Sequence, residues 1–157
     1  MSIESNEEER TIDGVVYRIL PLSADVGHKA LLRFVKIAGP VIGTARNIAD
    51  GLSGPESIRR LLDAISEDDL DWFVKLFALR TTYCAVEDLG KDKWPTLVVS
   101  KHFTQRYMQM FDWLRACIEV NFGGFFAEMM SRVKSAAPAK TEESLSQSAE
   151  LTGSSSD

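Results

Sequence analysis

Apolar positions are densest between Ser100 and Val133, near the end of the chain. They recur there in alternating steps of four and three, which is the spacing of one face of an α-helix. This first row comprises Phe103, Tyr107, Met110, Leu114 and Cys117. A second row widens the apolar face and comprises Phe111, Leu114, Ile118, Phe122, Phe125, Phe126 and Met129. A helix with so wide an apolar face needs cover, either from its own domain or from another chain.

Two sequence features mark the expected start of this helix and an interruption within it. Ser100 is the candidate N-cap, because serine side chains accept a hydrogen bond from the first helical turn. The adjacent pair Gly123 and Gly124 interrupts the pattern. Each glycine weakens a helix by about 1 kcal/mol relative to alanine, so we expect a kink or a short break there.

The start of the chain has the pattern of a β-hairpin. Asp13 and Gly14 lie between two short runs that are rich in β-branched residues. An Asp-Gly pair in this setting favours a tight turn, because glycine tolerates a positive φ. We predict a hairpin over residues 9–20, which Pro21 ends because proline has no N–H to donate.

Between the hairpin and the last helix the pattern predicts further helices. Ser23 can cap a helix over residues 24–38, which Gly39 and Pro40 should end. A weaker pattern predicts helix over residues 41–50. The next helix has Pro55 in its first turn and carries Ile58, Leu61, Leu62 and Ile65 on one side. A capping box at Ser66 and Asp69 predicts a helix that continues to Cys84. Residues 86–93 follow as a polar loop, and residues 94–99 as a short strand or an extended entry to the last helix.

The length of 157 residues suits one domain with tails. We predict a flexible acidic leader over residues 1–9, a single helical domain with an N-terminal hairpin over 10–134, and a disordered Ser-rich tail over 135–157. The expected fold class is mainly α. It consists of the hairpin, a small helical bundle, a long C-terminal amphipathic helix and the tail.

Charge and hydropathy narrow the classes of partner. The net charge is −5 and the sequence pI is near 5.1, so the chain has no general attraction to nucleic acid or anionic membranes. The N-terminus is acidic rather than basic and then apolar, unlike a signal peptide. Charged residues interrupt the longest apolar run, so no segment is typical of a membrane span. We expect a soluble, intracellular protein.

The residues that could bind a metal or catalyse a reaction are not spaced so that they would form one site. Consecutive acids at 67–69 point in different directions on a helix and suit its N-terminal dipole better than a metal ion. His28 and His102 each lack a second ligand at helical spacing. Cys84 and Cys117 have apolar neighbours, as buried cysteines do. We therefore expect no cofactor, no metal and no catalytic site, and hence a protein that is not an enzyme.

Two features near the glycine pair leave alternatives open. Asn121 either takes a polar role towards a partner or bonds the backbone beside the glycines. The phenylalanines from Phe122 to Phe126 either open a groove for a partner helix or all face inward.

A family resemblance rests on both ends of the chain. The opening TIDGVVYRILPLSA and the terminal SKHFTQRYMQMFDWLRACIEVNFGGFFAEMMSRV resemble tail assembly chaperones of long-tailed bacteriophages. The hairpin is similar to that family's "Gly, hydrophobic, Tyr-Arg" opening. The family's aromatic element near the end corresponds to Glu119, Asn121, Phe122, Phe125 and Phe126. The resemblance covers about residues 10–133, and the middle of the chain adds little to it.

The resemblance implies a non-enzymatic role. It implies a chaperone that coats the tape measure protein, helps to recruit tail tube subunits, works in the host cell cytoplasm and is absent from the mature virion. Self-association is left open. The expected partner-binding residues are Phe103, Tyr107, Met110, Phe111, Leu114, Ile118, Asn121, Phe122, Phe125, Phe126 and Met129.

The alternative function is a small helical adaptor or transcriptional regulator that binds nucleic acid or a host protein. Such a protein should present a basic recognition helix. Only the run RRLL at 59–62 hints at one, and Asp63 with the following acids offsets its charge.

Overall fold

A computed structural model describes residues 6–42, 60 and 63–136. The strands are β1 (Glu8–Ile12), β2 (Val15–Ile19) and β3 (Thr81–Ala85). The α-helices are α1 (Ala24–Ile42), α2 (Glu67–Ala78), α3 (Val99–His102) and α4 (Tyr107–Ala136), and a 3-10 helix spans Val86–Lys91. The expectation of a mainly helical chain behind a hairpin is confirmed.

Several predicted segments lie wholly or partly outside the described residues. The helices expected within 41–50 and around 58–65 are described only at a few positions. Residues 1–5 of the leader lie outside as well. The helix α4 extends to Ala136, two residues into the predicted tail, and residues 137–157 lie outside the described part.

The predicted hairpin is confirmed. Strands β1 and β2 pair antiparallel with Ile12 opposite Val15, so the turn between them is two residues long. Asp13 and Gly14 both have positive φ, 47° and 77°, as a type I′ turn requires. The alternate residues Val15, Tyr17 and Ile19 of β2 then face the core.

A third strand replaces the end of the predicted second helix. The prediction of helix to Cys84 is wrong, because α2 ends at Ala78 and β3 pairs with β2. The physical reason is visible at Thr81, which is fully buried. Its hydroxyl donates to the carbonyl of Phe77 at 2.9 Å and accepts from the indole N–H of Trp113 at 3.3 Å. A β-branched residue held in this way favours strand over helix.

The segment that follows the 3-10 helix protects the outer edge of β3. Its backbone accepts a bond from Tyr83 N–H at Pro95 O and donates one from Leu97 N–H to Thr81 O. Of the two predicted alternatives, the extended segment is the one observed. Trp94 in this segment lies under the guanidinium of Arg18, 3.4 Å from the ring centroid, and so covers the outer face of the sheet.

Helix α1 does not end at Gly39 and Pro40 as predicted, but continues through both to Ile42. Proline removes one N–H, whose usual acceptor is the carbonyl four residues earlier, here that of Lys36. Lys36 is exposed, so water can satisfy that carbonyl. The loss is therefore small enough for the last turn to form.

The predicted N-cap of α2 is confirmed and also links two helices. Ser66 Oγ accepts from the backbone N–H of Asp69 at 3.1 Å. The Asp69 carboxylate accepts from Ser66 Oγ at 2.8 Å and from Arg33 Nε of α1 at 2.6 Å. These bonds favour the charged carboxylate and lower the pKa of Asp69.

The last helical region is divided in two, contrary to the prediction of one helix from Ser100. Ser100 lies inside the short α3, whose N-cap is Val98. Gln105 then adopts a φ of 61°, and α4 begins at Tyr107. This break places the ring of Phe103 in the core, where its centroid lies 5.5 Å from that of Trp113.

The short break predicted at Gly123 and Gly124 is also wrong, because α4 is continuous through both residues, whereas the alternative of a kink stays a prediction. Phe122 and Phe126 flank the pair, and both rings pack against Phe34 of α1. Tertiary packing on both sides of the glycines therefore overrides their low helix propensity.

The two helical glycines provide a test of this account. A Cβ added at Gly123 or Gly124 would meet nothing within 4 Å. We expect Gly123→Ala and Gly124→Ala each to raise the free energy of unfolding by about 0.5–1 kcal/mol, measured by urea denaturation. Gly14→Ala is the control and should destabilise, because its φ is +77°. Destabilisation by either helical alanine would contradict a regular helix at this point.

Candidate partner-binding surface

Helix α4 is buried on opposite sides in its two halves. In the first half, Trp113 is fully buried and its indole N–H points to Thr81 of the sheet. In the second half, Phe122 is buried and stacks on Phe34 of α1 with centroids 6.2 Å apart. Nine residues make about two and a half helical turns, so these two side chains lie on opposite sides of the helix.

This change of side explains why α4 is apolar around so much of its circumference. The first half of α4 covers the sheet and the second half covers α1, so the helix needs an apolar side for each. Of the residues predicted to bind a partner, four are buried in the core, namely Phe103, Leu114, Phe122 and Phe126. Their rings and side chains are used inside the domain, and a partner meets them only if the fold opens.

The remaining apolar side chains form a row along α4, which we call the outer stripe. It is defined by Phe111, Ile118, Phe125 and Met129, whose spacing of seven, seven and four places them on one side of the helix. Phe111 and Ile118 are half-buried, and Ile118 also packs against the core. Phe125 is 44% exposed and Met129 is 37% exposed. The stripe therefore becomes more accessible towards the C-terminal end of α4.

Ion pairs flank the outer stripe on both sides. Arg115 bonds Glu119 at 3.1 Å, and Arg132 bonds Glu128, each pair spaced by four residues. Such exposed pairs contribute little to stability, but they leave these four charges satisfied within the helix. Recognition along the stripe then depends on apolar contact rather than on a free charge.

Asn121 is held by the backbone of its own chain. Its Oδ1 accepts from the N–H of Leu22 at 2.7 Å, and its Nδ2 donates to the carbonyl of Cys117 at 2.8 Å. Of the two alternatives that the sequence left open, the structure shows the backbone-bonding one. Asn121 joins the entry of α1 to the middle of α4.

The other two predicted residues are Met110 and Tyr107, and Tyr107 lies on the same side of α4 as the outer stripe, four residues before Phe111. Met110 is half-buried and packs against the core, about a quarter turn around α4 from the outer stripe. Tyr107 is 67% exposed at the first residue of α4, beside Met108, which is 66% exposed. Both exposed side chains line a depression with Asp13 at the hairpin turn.

Burial and neighbouring side chains explain the shifted pKa values of the titratable groups near α4. Burial raises the pKa of the Tyr17 hydroxyl and of the Cys117 thiol, so both stay protonated at neutral pH. Burial, with the nearby charge of Arg106, lowers the pKa of His102. A neutral His102 can accept at Nε2 from the Tyr17 hydroxyl, 2.7 Å away. This bond connects α3 to the sheet beneath the aromatic rings of the core.

Comparison with known protein families gives a match over most of these elements. The model of the family described as "Phage tail assembly chaperone protein, TAC" matches residues 13–134, more than half of the chain. The matched range runs from the hairpin turn to the last turns of α4. No curated protein and no solved structure matches the chain.

Replacing Asn121 separates an internal role from a partner-binding role. Asn121→Ala leaves the half-buried N–H of Leu22 without its acceptor, and we expect a loss of about 1 kcal/mol in the free energy of unfolding. The measurement is urea denaturation. Asn121→Asp is the matched control, since it keeps an acceptor for Leu22 and should cost less. Unchanged stability in the alanine variant would show that the internal bonds contribute nothing.

The Tyr17–His102 bond predicts a pH dependence. The pKa of His102 is lowered in the fold, so below about 6.5 the unfolded chain takes up a proton more readily than the folded one. Stability should therefore be full above that pH and fall as the pH drops through the lowered pKa. We expect His102→Gln to flatten the decline between pH 6.5 and 4.5, measured by thermal unfolding. An equally steep decline in this variant would contradict the assignment.

Proposed function

The chain belongs to the phage tail assembly chaperone family, and we propose that it binds the tape measure protein and helps to recruit tail tube subunits during tail assembly. The observation that supports this proposal is the outer stripe, whose side chains Phe125 and Met129 stay exposed after α4 has packed on the sheet and on α1. Membership in a chaperone family also suggests a non-enzymatic role.

The spacing of the outer stripe suits a helical client. Phe111, Ile118 and Phe125 repeat every seven residues, which is the repeat of a helix-packing seam. From Phe111 to Met129 the stripe is about 27 Å long at 1.5 Å per residue. A tape measure protein exposes long apolar helical surface before the tail tube closes around it. A client helix lying along the stripe would have its apolar side chains shielded from water.

The composition of the stripe suits a client with many similar but not identical segments. Phenylalanine buries a large area, and methionine adapts its shape because its chain is unbranched and flexible. Phe125 leans on the buried ring of Phe126 with centroids 5.4 Å apart, so it is supported from below. A contact of this kind gives moderate affinity at each site and allows several copies to coat one long client.

We place this activity in the host cell cytoplasm and infer that the protein is absent from the mature virion. A chaperone of tail assembly acts before the tube encloses its client and must leave as the tube closes. Among the described helices, none combines the length and the apolar character needed to cross a bilayer.

A pull-down with the tape measure protein tests the stripe. The double variant Phe125→Asp with Met129→Asp places two charges where apolar contact is proposed, and both side chains are exposed enough to change without emptying the core. We expect the affinity for the tape measure protein to fall by at least about tenfold. The same assay with tail tube protein added should show the tube protein retained by the wild-type complex.

The matched control is Leu79→Asp with Val86→Asp, which changes two exposed apolar side chains away from α4. This control should bind as the wild type does. Near-ultraviolet circular dichroism should show that all three proteins keep their tertiary packing. Equal binding by the folded stripe variant and the control would remove the outer stripe from the proposal.

A further inference from the structure

One edge of the sheet is covered by a neighbouring segment and the other is unpaired among the described residues. The sheet order is β1-β2-β3, so β1 and β3 form its edges. The edge of β3 is occupied by residues 95–97, through the bonds at Pro95 and Leu97. Within the described part of the chain, β1 pairs with β2 alone. An unpaired edge strand is a template for a further strand.

The hairpin register shows which groups of β1 face outward. In a two-residue hairpin, Ile12 and Val15 exchange backbone bonds, and the bonded pairs recur at every second residue. The N–H and C=O groups of Glu9 and Thr11 therefore point away from β2. The carbonyl of Glu9 accepts from the side chain of Arg10 at 3.1 Å. Both N–H groups and the carbonyl of Thr11 have no partner among the described residues.

A groove lies between this edge and α4. Its volume is about 370 Å³, and it is lined by residues 10–13 of the hairpin and by Asp112, Arg115, Ala116 and Glu119 of α4. A second depression of about 540 Å³ continues it past Asp13 to Tyr107 and Met108. One wall is thus a free strand edge, and the other is a helix that follows that edge.

The dimensions of the groove fit a short extended peptide. Met108 and Glu119 lie on the same side of α4, eleven residues apart, and this distance is about 16 Å along the helix axis. Five residues of a strand also span about 16 Å, and β1 itself has five residues. A peptide of this length could pair along the whole of β1.

The charges in the groove favour a basic residue. Arg115 is paired with Glu119, and Arg10 with Glu8. Asp13 and Asp112 also line the groove, and Arg106 lines its continuation beside Asp13. None of these three has an ion-pair partner among the described residues, so the unpaired acids outnumber the unpaired base by one. At the far end, Tyr107 and Met108 offer exposed apolar contact. In a strand, side chains two residues apart share one face, so an apolar residue and a basic residue at that spacing would match.

We propose that this groove binds an extended segment of another polypeptide, about five residues long, which adds as a strand to the free edge of β1. A basic side chain of the segment lies beside Asp112, and an apolar side chain two residues away lies on Met108. This site is separate from the outer stripe and does not rest on the function proposed for that stripe. The chain would then hold a helix at one surface and a strand at the other.

The test uses the full chain and a fluorescein-labelled peptide, acetyl-Thr-Leu-Thr-Lys-Thr-amide, with fluorescence anisotropy as the readout. We expect binding with a Kd at or below about 1 mM. Thr11→Pro removes an outward N–H without touching the bonds between β1 and β2, and should weaken binding by about fivefold or more. Asp112→Lys should weaken binding by roughly two- to fivefold, and should improve binding of the same peptide with glutamate in place of lysine.

The matched control is Glu87→Lys, an equal change of charge at an exposed site outside the groove, which should bind the peptide as the wild type does. Absence of binding at millimolar peptide would overturn the proposal. So would wild-type binding by folded Thr11→Pro and Asp112→Lys proteins. A wild-type dimer in sedimentation that Thr11→Pro dissociates would also overturn it, because the edge would then belong to a second copy of this chain.

Discussion

The fold depends on the requirement that one helix cover two different apolar surfaces. Helix α4 lies under the sheet with Trp113 and against α1 with Phe122, and these contacts are on opposite sides of its axis. Asn121 lies between the two contacts and bonds the start of α1 to the middle of α4. The hairpin, α1 and α4 are thereby fixed relative to one another.

This arrangement determines what remains for a partner. A helix with one buried side would leave a polar outer face, but a helix that changes sides keeps apolar residues around most of its circumference. After both contacts are made, the uncovered remainder is the outer stripe, which is most accessible at Phe125 and Met129. The binding surface we propose is thus a consequence of internal packing. It requires no separate element, and its position follows from where α1 stops covering α4.

The sequence predicted correctly those features that depend only on residues close together in the chain. The turn at Asp13 and Gly14 and the cap at Ser66 depend on neighbouring residues, and both were found as predicted. The sequence analysis missed the strand β3 because Thr81 is held by a hydrogen bond from Trp113, which is distant in sequence. The same limit applies to the glycine pair, which stays helical because Phe34 holds the turns on both sides.

The sequence predicted the helix that carries the candidate site, but not which of its apolar side chains are exposed. Periodicity identified the rows of apolar residues on α4, yet it could not separate Phe122, which is buried, from Phe125, which is exposed. That difference depends on where α1 crosses the helix, and no pattern within α4 encodes it. The edge of β1 is likewise a property of the sheet order, which required knowledge of β3.

The central claim is that the client lies on the uncovered end of the outer stripe while the internal contacts of α4 stay intact. Methionine methyl groups allow a direct test by nuclear magnetic resonance, with ¹³C-labelled methionine and added tape measure protein. The account predicts that the methyl resonance of Met129 shifts or broadens on binding, while that of Met110, which packs against the core, keeps its position. A complex that forms with Met129 unchanged, or with Met110 shifted as much, would contradict it.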